Sequence, residues 1–178
     1  MKKALRNCRI GVAGCGAMGL PMLQCLLDAG FHATGFDIRP REDFTAASDH
    51  MNFDCVEFGT ATDILISVVR DMAQTEALCF STQKVFSRRS YPGIFIVSST
   101  LSPGQFDALV SRLPDDVTVI DAPMSGAPVA AKTGSLTFMI GCDSNLFDEV
   151  RPLFEAMGQT VNHVGEPSSG MTVKVLNN

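Results

Sequence analysis

Residues 10–19 read Ile10-Gly11-Val12-Ala13-Gly14-Cys15-Gly16-Ala17-Met18-Gly19, and this stretch decides the fold. A short apolar run ends in G-x-G-x-x-G, and an amphipathic segment follows as far as Gly30. Glycine triplets alone are weak signals; a strand before and a helix after give them meaning. In that setting Gly14 permits the tight turn, Gly16 lets a ligand's pyrophosphate approach the backbone, and Gly19 lets helix and strand pack closely. The helix start then offers unpaired N–H groups and the positive end of a dipole to a phosphate. Pro21 falls in the first turn, where a missing N–H costs little.

Outward from this loop, short apolar runs alternate with helix-length segments. Strands are expected at Ile10–Ala13, His32–Phe36, Ile64–Val68, Ile94–Ser98, Thr118–Asp121 and Thr137–Ile140, with weaker signals near Cys55–Val56 and Thr160–His163. Helices are expected at Met18–Ala29, Met72–Phe80, Pro103–Arg112 and Leu146–Met157. Ser102 reads as a helix cap ahead of Pro103. Such alternation predicts an α/β fold of the Rossmann type: a doubly wound, mostly parallel sheet with helices on both faces. The nearly continuous apolar runs at 64–68 and 94–97 suit strands covered on both sides.

The second strand ends at Asp37, roughly 20 residues past the loop, where a carboxylate accepts hydrogen bonds from a ribose and repels a 2′-phosphate. NAD is therefore the expected cofactor. Arg39 and Arg41 could pair with the phosphate of NADP, but are read as solvated charges.

Composition narrows the alternatives. The chain has 178 residues, 46% of them hydrophobic and 19% charged, which suits one packed domain rather than a disordered segment. A net charge of −5 with no basic run argues against a nucleic-acid partner. Neither a secretion signal nor a membrane span is legible. Cys8, Cys15, Cys25, Cys55, Cys79 and Cys142 are scattered, as are His32, His50 and His163, so no metal site is expected. Reduced cysteines packed as small hydrophobes fit a cytoplasmic protein.

Residues Gly14 to Met22 resemble the opening signature of the β-hydroxyacid dehydrogenase family, which includes 3-hydroxyisobutyrate dehydrogenase and tartronate semialdehyde reductase. Its Met-Gly-x-Pro-Met portion is more particular than the glycines. Three further stretches agree: Ser98-Ser99-Thr100-Leu101-Ser102-Pro103, Asp121-Ala122-Pro123-Met124-Ser125-Gly126-Ala127, and Gly170 through Lys174 to Asn178.

The resemblance implies that Gly14, Gly16, Ala17, Met18, Gly19, Asp37, Val68, Val69 and Thr100 serve the cofactor, with Val68 and Val69 at its adenosine half and Thr100 at its nicotinamide end. It also implies that Ser125, Gly126, Ala127 and Asn178 bind the substrate and that Lys174 is the catalytic lysine. Four residues apart on a helix, Lys174 and Asn178 share one face. The helix start just upstream could help lower the lysine's pKa toward a base role.

Two positions depart from the family pattern: Ala127 stands where a second glycine is more usual, and Ser168 where a glycine commonly precedes the helix. The implied activity is hydride transfer between NAD(P) and a short 3-hydroxy acid or its semialdehyde. Rival readings are a 6-phosphogluconate-like or imine-type nicotinamide enzyme, or a non-catalytic dinucleotide-binding module. Residues 1–164 are expected to form the cofactor domain. Residues 165–178 are expected to open an interdomain helix leading to a helical domain absent from this chain, with a homo-oligomer in the longer protein.

Overall fold

The computed structural model describes residues 5–87 and 90–177. Among the described residues, eight strands form one sheet: β1 (Arg9–Ala13), β2 (His32–Phe36), β3 (Ile64–Ser67), β4 (Ile94–Val97), β5 (Thr118–Asp121), β6 (Met124–Ser125), β7 (Leu136–Gly141) and β8 (Gly158–Gly165). The order is β2-β1-β3-β4-β5-β7-β6, with β8 also paired to β7. β2 through β5 run parallel, β7 is antiparallel to β5 and β6, and β8 is parallel to β7. The sheet is thus mostly parallel and doubly wound. Its sense reverses at β7, which the sequence expectation did not include.

Among the described residues, seven α-helices accompany the sheet: α1 (Gly19–Asp28), α2 (Cys55–Ala61), α3 (Met72–Glu76), α4 (Pro103–Val110), α5 (Pro128–Lys132), α6 (Ser144–Met157) and α7 (Ser169–Leu176). Alternate strand residues feed two cores. Ile64, Ile66 and Ile96 pack on the side that buries Met22, Leu23 and Leu26 of α1 and Val150 and Leu153 of α6. Leu65, Phe95 and Val97 pack on the opposite side with Phe58 of α2, Phe106 of α4 and Met171 of α7. Covering both faces is what the unbroken apolar runs require.

Local chemistry sets several boundaries. Ser102 and Gln105 form a reciprocal capping box at the start of α4, with Pro103 in its first turn. The segment near Cys55–Val56, expected as a weak strand, is instead the start of α2. The Asp54 carboxylate accepts from the N–H groups of Val56 (2.7 Å) and Glu57 (3.0 Å) and so caps a helix there. Pro123 separates β5 from β6 because it has no N–H to give to a ladder, although its carbonyl accepts from Met139 at 3.1 Å. Among the described residues, no helix is long and apolar enough to cross a membrane. Cys15, Cys25, Cys79 and Cys142 are free thiols.

Candidate active site

Gly14 turns with φ +92°, and its N–H donates to Phe36 O at 2.9 Å, tying the loop to the end of β2. An added Cβ at Gly14 would stand 2.9 Å from the Val68 carbonyl carbon, so backbone alone fills that space. Gly19 leaves no room for a methyl against Gly14 O. At Gly16 the situation is opposite: nothing lies within 4 Å of a Cβ position, so this stretch of backbone faces open space. No side chain caps the start of α1. Unpaired N–H groups beside an open loop suit a diphosphate.

A cavity of about 570 Å³ opens over this loop. Gly14, Gly16, Ala17, Met18, Asp37, Val68 and Val69 all line it, so seven of the nine expected cofactor residues meet there. Gly19 stands behind the loop as packing. Thr100 is exposed three residues past the end of β4, outside the cavity wall. Residues that sequence reasoning did not single out also line the cavity, among them Ile38, Arg70, Gln74 and Leu78. Ile38 follows Asp37 directly and is 75% exposed, an apolar side chain left uncovered on the rim.

Both arginines are exposed, as expected, and each also makes contacts that this expectation did not include. Arg39 holds Asp37 Oδ1 through its backbone N–H (3.0 Å) and its Nε (3.1 Å), while its Nη2 donates to Cys15 O at 2.8 Å. Its guanidinium lies over the Phe44 ring at 4.6 Å. Arg39 therefore clips the carboxylate at the end of β2 to the glycine loop. Arg41 stacks on Phe53 at 4.7 Å and lines an adjoining recess with Asp37 and Arg39. The carboxylate leaves little of itself in water: the Asp37 side chain is only 9% exposed. Burial, followed by the Asp37 charge, pushes the Cys15 thiol up to about 12, so it remains a neutral thiol in the loop.

At the far end of the same strand edge, Lys174 Nζ donates to Ser125 Oγ at 3.0 Å. These residues sit on α7 and β6, and Ser125 is held in register with Thr137 on β7. Gly126 has φ +141°, and a Cβ there would meet Leu136 Cδ2 at 2.8 Å, so both backbone and space call for glycine. Ala127 is exposed and extended (φ −84°, ψ 169°), a conformation open to any residue, and precedes α5. Ser168, by contrast, adopts the left-handed conformation with φ +78°. Asn178 lies outside the described residues.

Behind Lys174 is a group whose position was read only as part of a motif. Asp121, at the end of β5, is fully buried and accepts from the N–H groups of Ser168 (2.9 Å) and Met171 (2.8 Å). Burial raises its pKa above the ordinary carboxylate value, while these backbone N–H groups pull it down. The helix start expected to act on Lys174 is thus occupied by a buried carboxylate.

Residues 9–165 match the family model described as the NAD binding domain of 6-phosphogluconate dehydrogenase. The chain belongs to this family. The NAD-dependent L-serine dehydrogenase of Pseudomonas aeruginosa is 30% identical over 96% of the chain and 58% of that protein. The 2-hydroxy-3-oxopropionate reductase of Escherichia coli is 33% identical over 95% of the chain and 59% of that protein. In structure, the chain matches Mycobacterium tuberculosis 3-hydroxyisobutyrate dehydrogenase solved with L-serine, with TM-score 0.84 and 27% identity, over 96% of the chain and 58% of that protein. The chain thus spans somewhat more than half the length of these relatives. Its NAD-binding domain assignment agrees with the β-hydroxyacid dehydrogenase resemblance drawn from the motifs.

Proposed function

We propose that this chain is the cofactor-binding part of an NAD-dependent dehydrogenase that oxidises a short 3-hydroxy acid, or reduces the corresponding semialdehyde. The observation that carries this reading is the meeting of Lys174 and Ser125 at the edge of the sheet whose other end holds the open glycine loop. Three features support a dinucleotide in the cavity: open space over Gly16, an uncapped helix start, and the Asp37 carboxylate in the wall at the end of β2. Bound there, NAD supplies the hydride chemistry.

The remaining roles fall to the protein. Gly14, Gly16, Ala17 and Met18 hold the diphosphate with Gly19 packed behind them, Asp37 orients the ribose, and Val68 and Val69 shape the adenosine side. Thr100 stands toward the nicotinamide end. The Ser125 hydroxyl and the N–H groups following it at Gly126 and Ala127 bind the substrate carboxylate, an anion that a Ser-Gly turn suits. Lys174 takes the proton from the substrate hydroxyl in oxidation and returns it in reduction. Asn178 is assigned to the substrate by the family resemblance of the motif that carries Lys174.

Soluble cytoplasmic residence and a homo-oligomeric state of the longer protein belong to the same proposal. The relatives act, by name, on L-serine and on 2-hydroxy-3-oxopropionate, both short three-carbon acids. The test is initial rates of the complete protein on a panel of 3-hydroxy acids, with NAD and NADP compared. Lys174→Ala is expected to lower kcat by about 10³-fold while leaving NADH affinity nearly unchanged. Turnover retained in that variant would remove Lys174 from the reaction.

A further inference from the structure

α7 is anchored almost entirely through its first turn. Of its eight residues, only Gly170 and Met171 are buried, while Thr172, Val173, Val175 and Leu176 face outward. Neither Ser168 nor any other side chain of α7's own approach caps it. The cap comes instead from another element, 47 and 50 positions earlier, where both oxygens of Asp121 take an N–H at the helix start.

Space around that carboxylate is closed on two sides. Gly141, paired with Asp121 across β5 and β7, has no room for a methyl beside Oδ1, and a Cβ at Gly170 would stand 2.8 Å from Oδ2. Four residues beyond Asp121, the same run of chain presents Ser125 to Lys174 Nζ. The segment 121–125 thus grips α7 twice, at its buried start and at its amine. One helical turn separates Met171 from Lys174, so a tilt or slip at the cap displaces the amine directly.

We propose that Asp121 is a positioning residue for the reaction, fixing the first turn of α7 so that Lys174 Nζ meets Ser125. This rests on the catalytic reading of Lys174 given above. Asp121 acts through α7 and touches neither substrate nor cofactor. A carboxylate suits the task because both oxygens accept, whereas an amide of the same shape turns donors toward one of the two N–H groups.

The test uses the complete protein and the variants Asp121→Asn, Ser125→Ala and their combination. Three quantities are read: kcat, NADH affinity, and acylation of the Lys174 amine by acetic anhydride relative to Lys132 in the same molecule. Asp121→Asn is expected to lower kcat by up to about 10²-fold, as misplacement of a reacting group does, with NADH affinity nearly unchanged. Lys174 acylation should rise severalfold in both single variants, and the double variant should show no further rise, because the two changes break one contact.

Lys174 acylation unchanged in Asp121→Asn but raised in Ser125→Ala would overturn the proposal, as would additive effects. Full turnover in Lys174→Ala would instead sink the catalytic reading and leave the acylation result to judge Asp121 by itself. If Asp121→Asn does not fold, amide exchange in the unaltered protein decides: protection at Ser168 and Met171 supports the cap, and exchange as fast as in exposed loops refutes it.

Discussion

The two ends of the sheet edge are built differently. At the glycine loop, backbone meets backbone: Gly14 donates to Phe36 O, Gly19 leaves no room for a methyl beside Gly14 O, and Gly16 is left open. At the lysine end, side chains tie together residues almost 50 positions apart, Asp121 to Ser168 and Met171, and Ser125 to Lys174. The first end is built from β1, α1, β2 and the backbone just past β3, all within the first 69 residues. The second exists only when β5, β6, β7 and α7 have all come together. Mutations should therefore act locally and steeply at the loop, and through displacement at the lysine.

The largest effect expected at the loop comes from Gly19→Ala. The new methyl would press on a carbonyl that is itself held by the turn, and backbone cannot yield as a flexible side chain can. A loss of about 3 kcal/mol in stability is expected, read from the denaturant midpoint. Gly16→Ala is the matched control. Its methyl meets nothing, so stability should stay within about 0.5 kcal/mol, yet NADH should bind about tenfold more weakly, a change of about 1.4 kcal/mol. Unchanged NADH affinity in Gly16→Ala would break the view that the diphosphate closes against this backbone.

Asp37 sharpens the comparison from the other edge of the cavity. Its carboxylate is held by Arg39, which also reaches Cys15 O, so it belongs to the loop's own framework besides the ribose role proposed for it. Asp37→Asn removes the charge that repels a 2′-phosphate and weakens the grip of Arg39. NADH affinity should fall by about fivefold to tenfold, the effect of losing one charge-assisted hydrogen bond. The preference for NADH over NADPH should narrow at the same time, measured as the ratio of their Kd values. A ratio that does not move would show that Arg39 or Arg41, rather than Asp37, sets the discrimination.

How much of this could be read beforehand follows the same division. The glycine loop, Asp37 and the Ser102 capping box are signals written in neighbouring residues, and each appears in the fold as its spacing implies. α2 was misread because Cys55 and Val56 favour a strand locally. The competing signal was Asp54 followed three positions later by Glu57, an acidic variant of the capping pattern. The reversal at β7 and the two-residue β6 carry no periodicity long enough to register. Asp121 stood in plain view as a carboxylate closing the run Val119-Ile120. Nothing near it in sequence says which N–H groups it takes, because those lie on a helix that begins at Ser169. Arg39 escaped for a related reason: its partners are Asp37, Cys15 and Phe44, and only the first is adjacent.

Ser168 gives the smallest and most discriminating test. It holds φ +78°, a left-handed conformation that a residue with a Cβ adopts at a cost of roughly 1 kcal/mol. Ser168→Gly removes that strain but makes the unfolded chain freer, so the two effects oppose. At a left-handed position the relief of strain is expected to win, for a net gain of about 0.5 kcal/mol and a Tm rise of about 1–2 °C in a chain of this size. The substitution keeps the N–H at position 168, and with it the bond to Asp121, so acylation of Lys174 should not change. Stabilisation together with an unmoved amine would separate two things the helix start does at once: the turn into α7 is a matter of backbone strain, while the placing of the lysine is a matter of the buried carboxylate. If the variant were instead less stable and its lysine more reactive, the serine itself would be holding the helix, and the contrast between a backbone-built end and a carboxylate-built end would have to be redrawn.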